Sequence, residues 1–291
     1  MRGMPSSGGA VASRRILCVM AATASMCFAS ATWAQDQPNP PILVVGASYG
    51  NGSSPVDDNL MGPLGGAGVG FGSYLSLGDA LVRTPLLDGF VVNDAEAGAT
   101  TFTRPTCFAD FCPPFEWHGY EHQLQRALLR VAVRDPANPA SVLFYNAKYV
   151  VISLPNDCLH SNAMGVPQLE AQQCSTADMN AMIDRLKAVA AQAQAAGLTP
   201  VFTGYPAYRD ADLALTQQLF GFAFVIDEER YEEMRALHRS RLTSEVPGAL
   251  YVDAWSEFEH LGDGIHPTPR TSKKAARKVA LAILLDQARQ R

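Results

Sequence analysis

The sequence has no apolar run long enough to read as a bilayer-spanning helix. The stretch Ile16 to Phe28 falls short of the roughly 20 residues that such a helix needs. Cysteine is scarce, six in 291 residues, and no histidine stands near any of them at zinc-site spacing, so no metal is expected. The glycines of Gly65-Gly66-Ala67-Gly68-Val69-Gly70-Phe71-Gly72 do not fit Gly-x-Gly-x-x-Gly and do not follow a strand directly, which argues against a dinucleotide fingerprint. No internal repeat occurs.

Arg14 and Arg15 precede the Ile16–Phe28 run, and small residues then lead to Thr32-Trp33-Ala34. This is the layout of a secretory signal over residues 1–34, with a mature domain over 35–291 in the periplasm or outside the cell. Removing 1–34 takes away three arginines and no acid, so the net charge moves from −5 to −8. An acidic chain is poorly suited to nucleic acid or anionic membranes, and neither is expected as a partner. Cys18 and Cys27 leave with the signal, while Cys107, Cys112, Cys158 and Cys174 remain. An even number in an exported chain suggests two disulfides, and the local pairing 107–112 and 158–174 is preferred among three connectivities.

Apolar strands are expected at 41–45, 89–93, 148–153, 199–203 and 249–252. Helical spacing falls between them, at 120–133, 177–196, 228–243 and 269–289, with Gly197 ending the second. Residues 50–73 and 103–119 read as loops and 158–175 as an excursion. The last helix should show Arg270, Lys273, Lys274, Arg277 and Lys278 to water and bury Val279, Leu281, Ile283 and Leu284. Continuous apolar strands alternating with helices imply a three-layer α/β/α sandwich with a five-stranded parallel sheet.

Ligands of such sheets bind outside the carboxyl ends of the strands. Ser48, Gly98 and Asn156 follow the first, second and third strands and so share one edge. Near the end of the chain stands Asp263-Gly264-Ile265-His266-Pro267. A serine is a weak nucleophile until a base takes its proton and a third group fixes the tautomer of that base. Asp263 and His266, three residues apart in a turn, suit that pair. The backbone N–H groups of Ser48 and Gly98 and the amide of Asn156 suit an oxyanion hole. Gly98 lets the backbone approach a ligand closely. His118 and His122 have i, i+4 spacing, but Glu121 is not placed as in His-Glu-x-x-His, so packing is the expected role.

The pattern resembles the SGNH, or GDSL, hydrolases. Gly46-Ala47-Ser48 stands where the family has Gly-Asp-Ser, and Leu154-Pro155-Asn156-Asp157 where it has Gly-x-Asn-Asp. Asp263-Gly264-Ile265-His266 is similar to its Asp-x-x-His block. The resemblance spans residues 42–285 and implies a flavodoxin-like sandwich with no cofactor. It implies Ser48 as nucleophile, His266 as base, Asp263 as its orienting partner, and Ser48, Gly98 and Asn156 as the oxyanion hole. Ala47 and Leu154 depart from the family pattern.

The expected function is an exported serine hydrolase that cleaves carboxylic esters through an acyl-enzyme. The ester is a small molecule, lipid, glycan or polyester. Two alternatives are an inactive binding protein of the same fold and an O-acyltransferase or deacetylase of envelope glycans. Gly46-Ala47-Ser48-Tyr49-Gly50 also satisfies the Gly-x-Ser-x-Gly elbow of α/β-hydrolases, but about a dozen mature residues before Ser48 leave no room for that fold's earlier strands.

Overall fold

The computed structural model describes residues 40–51, 75–87, 90–105, 116–159, 172–220 and 226–291. The expected signal segment, the Gly-rich loop from 52 onward, Cys107, Cys112 and His160 lie outside the described residues.

Five parallel strands form the central sheet. They are β1 (Ile42–Val45), β2 (Val91–Asn93), β7 (Tyr149–Ile152), β8 (Thr199–Thr203) and β9 (Leu250–Val252), in the order β2-β1-β7-β8-β9. The five expected strands are all present, each within two residues of its expected start. Every residue of β1 and β7 is buried, as strands covered on both faces require. Pro200 sits inside β8 without breaking it. The Thr199 N–H turns toward β7, so the N–H that Pro200 lacks would point to the other side, where pairing with β9 begins only at Val201.

Right-handed crossovers fix which face each helix covers. From β1 the chain passes through α2 (Leu77–Val82) to β2 on one side. It then reverses through α3 (Tyr120–Val131) to β7, and continues through α4 (Thr176–Ala195) and α6 (Glu228–Glu245). Accordingly α3, α4 and α6 pack side by side on one face, and α7 (Pro269–Gln290) joins α2 on the other. The reversal puts the topological switch between β1 and β7, so the crevice opens beyond their carboxyl ends.

Local chemistry sets the helix ends. Ser175 and Asp178 form a capping box at the start of α4, and Gly197 at φ +80° follows its end. Thr268 caps α7 with Pro269 in the first turn.

Some expectations need correction. The helix expected to run to 133 stops at Val131, because β5 (Ala132–Asp135) turns back as a hairpin with β6 (Asn138–Tyr145). β-Branched and aromatic residues at 142–145 favour that pairing over helix. The loop at 103–119 contains a short ribbon, β3 (Arg104–Pro105) with β4 (Glu116–Trp117). In α7, Val279 and Ile283 are buried as expected, but Leu281 is exposed and Leu284 only half-buried; Ala275, Ala276 and Ala280 complete the buried stripe. Small alanines at helical spacing let α7 sit close to α2, a pattern that a search for large apolar residues overlooks.

Candidate active site

Ser48 is the first residue of a one-turn helix, α1 (Ser48–Asn51), that leaves the end of β1. Its neighbour Tyr49 is buried, edge-on to Trp255 at 5.0 Å and stacked on Phe258 at 5.9 Å. The Tyr49 hydroxyl donates to the carbonyl oxygen of Ile265. The residue after Ser48 is thereby pinned to the residue before His266.

His266 and Asp263 are both buried, and Nδ1 of His266 lies 2.6 Å from Oδ2 of Asp263. The other carboxylate oxygen, Oδ1, accepts from the backbone N–H of Ile265 at 3.0 Å and of His266 at 2.9 Å. Burial by itself raises the Asp263 carboxyl, but the bonds from His266 and Ile265 prevail and hold it below the ordinary aspartate value. A carboxylate that accepts at three places stays ionised and fixes the imidazole's tautomer.

The turn is braced from outside. Nδ1 of His260 accepts from the N–H groups of Gly262 and Gly264, each at 3.1 Å. Helix α5 (Leu213–Phe220) abuts the motif: Oγ1 of Thr216 donates to the Asp263 carbonyl at 2.7 Å, and the Asp212 N–H donates to that of Gly264 at 2.8 Å. Gly264 has φ +92°, and a Cβ there would lie 2.1 Å from the Asp212 oxygen. Only glycine fits, which explains the second residue of the Asp-Gly-Ile-His stretch.

Asn156 follows β7 and is buried. The two carbonyls before it are fixed by tyrosines: Tyr120 donates to Leu154 at 3.0 Å and Tyr205 to Pro155 at 2.8 Å. The disulfide Cys158–Cys174 forms as expected. The next residue, Asp157, has its carboxylate inside the protein and accepts from the Thr101 N–H at 2.8 Å, the Thr101 hydroxyl and Nη2 of Arg185 at 3.0 Å. Burial pushes the Asp157 carboxyl up, while these donors and the Arg185 charge oppose the rise.

Gly98 has φ +83°, and a Cβ on it would meet the Trp117 ring at 2.7 Å. Its carbonyl accepts from Nη2 of Arg104 at 2.8 Å, and that guanidinium lies 4.3 Å over the same Trp117 ring. Burial lowers Arg104 to about 9, against a raising effect from Asp157, and it remains cationic at neutral pH.

No protein-family model matches the sequence, and no curated protein matches it. Solved structures of similar fold do exist. Several of them are described as SGNH or GDSL-type hydrolases or lipolytic proteins, at 12–18% identity. A psychrotrophic esterase from a Pseudoalteromonas species is 14% identical, covering 87% of this chain and 98% of its own, with a TM-score of 0.42. A GDSL-like lipase from Bacteroides thetaiotaomicron is 12% identical over 89% and 97%, at 0.43. An acetylxylan esterase from Geobacillus stearothermophilus is 12% identical over 85% and 93%, at 0.43.

The two departures from the SGNH pattern have local accommodations. Ala47 is fully buried, and the Gly46 N–H beside it is taken by Oε1 of Gln123 from α3 at 2.7 Å. Leu154 keeps an ordinary backbone conformation and fills the core, so glycine is not required there.

Sequence reasoning missed Tyr49, Gln123, Thr101, Arg104, Arg185 and His260. Each acts through a partner remote in sequence or through a loop turn, so no periodic pattern marks it. His118 meets Glu96 at 3.0 Å, and its ring lies 4.2 Å from that of His122. Among the described residues no cluster of three or more His, Cys, Asp or Glu is arranged to hold a metal. A cavity of about 200 Å³ is bounded by Phe102, Asp157, the disulfide and Arg185; neither Ser48 nor His266 lines it. No helix among the described residues is long and apolar enough to cross a membrane.

Proposed function

We propose that this protein is an exported serine hydrolase that cleaves carboxylic esters through an acyl-enzyme. Ser48 Oγ attacks the ester carbonyl, and Nε2 of His266 takes its proton and returns it to the leaving alcohol. Asp263 holds the ring and stabilises the imidazolium as it forms. The N–H groups of Ser48 and Gly98 and the Asn156 amide receive the oxyanion; losing one such donor typically raises the barrier by about 2.7–4 kcal/mol. Water, activated by the same histidine, then releases the acid.

The observation that supports this reading most is the buried Asp263–His266 pair, joined through the Tyr49–Ile265 hydrogen bond to the segment that carries Ser48. A fluorophosphonate probe should label one residue, Ser48, and Ser48→Ala should abolish both labelling and turnover of short p-nitrophenyl esters. Labelling elsewhere, or equal rates for the two proteins, overturns the assignment. The expected substrates remain esters of small molecules, lipids, glycans or polyesters, and a panel of these distinguishes them.

A further inference from the structure

The two loops assigned to the oxyanion hole are far apart in the chain. Gly98 follows β2 and Asn156 follows β7, with β1 between those strands. Nothing in the sheet ladder links the loops, because each begins where its strand ends. They are joined instead through Asp157, adjacent to Asn156, and Thr101, three residues after Gly98. The Asp157 carboxylate accepts from both the N–H and the hydroxyl of Thr101. Arg185, on α4, closes the triangle: Nε donates to Oγ1 of Thr101 at 2.6 Å and Nη2 to Oδ1 of Asp157 at 3.0 Å. The same guanidinium lies 4.8 Å over the Phe102 ring, which limits its movement.

Hydrogen bonding orders the donors. Arg185 has no lone pair to offer, so the Thr101 hydroxyl accepts from Nε and sends its own proton to Asp157. The carboxylate receives three donors, two of which come from the Gly98 loop. Asp157 and Thr101 are almost completely buried, whereas Arg185 is partly open to solvent. An ion pair with one partner partly open to solvent is a weak source of net stability, so the three hydrogen bonds on Asp157 act chiefly on the placement of the two loops.

We propose that Asp157, Thr101 and Arg185 are positioning residues that hold the Gly98 N–H and the Asn156 amide in one register, so that both donors face the same developing oxyanion. The inference rests on the ester-hydrolase reading above. Asp157 acts through Asn156, and Thr101 through the Gly98 loop. A misplacement of about 1 Å at such a site costs on the order of 100-fold in rate. The loss appears in kcat rather than KM, because the donors bind the transition state more tightly than the ground-state carbonyl.

Two sets of variants test this on the full-length protein with a p-nitrophenyl ester. Thr101→Val keeps the shape of the side chain and removes the hydroxyl; Thr101→Ser keeps the hydroxyl and removes a methyl. The expected result is a fall of about 10- to 100-fold in kcat for Val, with KM within about twofold, and near-normal kcat for Ser. A packing role would give the reverse order, and that result overturns the proposal. The second set is a cycle of Asp157→Asn and Asn156→Ala. If Asp157 works by aligning Asn156, adding Asp157→Asn to Asn156→Ala lowers kcat much less than it does in the wild type. Effects that simply multiply refute that coupling. Should Asp157→Asn not fold, Arg185→Gln, a change at a partly exposed site, takes its place in the cycle. Wild-type kcat in Ser48→Ala overturns the hydrolase reading itself and this inference with it. Loss of activity in Ser48→Ala and Asn156→Ala, with no effect of Thr101→Val, Asp157→Asn or Arg185→Gln, overturns the positioning role alone.

Discussion

The Tyr49 hydroxyl donates to the Ile265 carbonyl across 216 positions of sequence. It joins the helix that starts at Ser48 to the turn that ends at His266. Tyr49→Phe keeps the ring between Trp255 and Phe258 and removes the hydroxyl that makes this bond. Its expected cost is about 1 kcal/mol of stability, a typical net value for one hydrogen bond. It should also lower kcat, because the turn loses its tie to the helix. Thermal denaturation and ester kinetics on the same preparation check both outcomes. Unchanged kcat would show that the turn keeps its position without the tie.

Asp263→Asn should leave the fold in place and lower kcat by on the order of 10³–10⁴, since an amide at this position favours the wrong imidazole tautomer. A stability effect accompanies it. The folded carboxyl is held below its ordinary value, so the unfolded chain binds a proton more readily. The stabilisation is therefore complete above the ordinary aspartate value of about 3.9 and is lost as pH falls through the folded value. Denaturant titrations should show the wild type ahead of the variant at neutral pH and the gap closing in acid.

His238 gives a separate acid signature. It is buried on α6 with Nδ1 3.1 Å from the Tyr251 hydroxyl, and burial lowers it to about 3. The unfolded chain protonates this histidine near pH 6.5, whereas the folded chain does not. As pH falls from about 6 toward 3, stability should therefore decline, because the unfolded chain takes up this proton and the folded chain does not. His238→Gln should show a shallower slope over that range. Identical slopes in equilibrium unfolding would mean that the site admits the charged ring.

The disulfide closes a loop with a sequence separation of 16, between the Asn156 segment and the capping box of α4. Replacing both cysteines by serine should lower stability by about 3 kcal/mol on the chain-entropy account. Calorimetry of the double variant, beside wild type with and without a dithiol reductant, measures this. A wild-type melting temperature in the variant would place the constraint elsewhere.

The fold was readable because its signals are local. Runs such as Ile42-Leu43-Val44-Val45 and Tyr149-Val150-Val151-Ile152 are apolar throughout, which only a strand covered on both faces tolerates. The hairpin over 132–145 was missed because helical spacing in α3 runs smoothly into it. In the candidate site, the Asp263–His266 pair was legible because three residues in a turn bring the two side chains together. Tyr49, Gln123 and Arg185 were not, because each serves a residue more than 25 positions away.

By itself the sequence determined the alternation of strand and helix, the strand ends that carry Ser48, Gly98 and Asn156, and the carboxylate–imidazole pair. All of these follow from side-chain periodicity and short-range spacing. The tertiary structure alone decided how the loops are held against one another: Tyr49 on Ile265, and Thr101 and Arg185 on Asp157. Those contacts arise when distant segments are packed into a low-dielectric interior, where each buried polar group must find a partner that chain distance does not reveal.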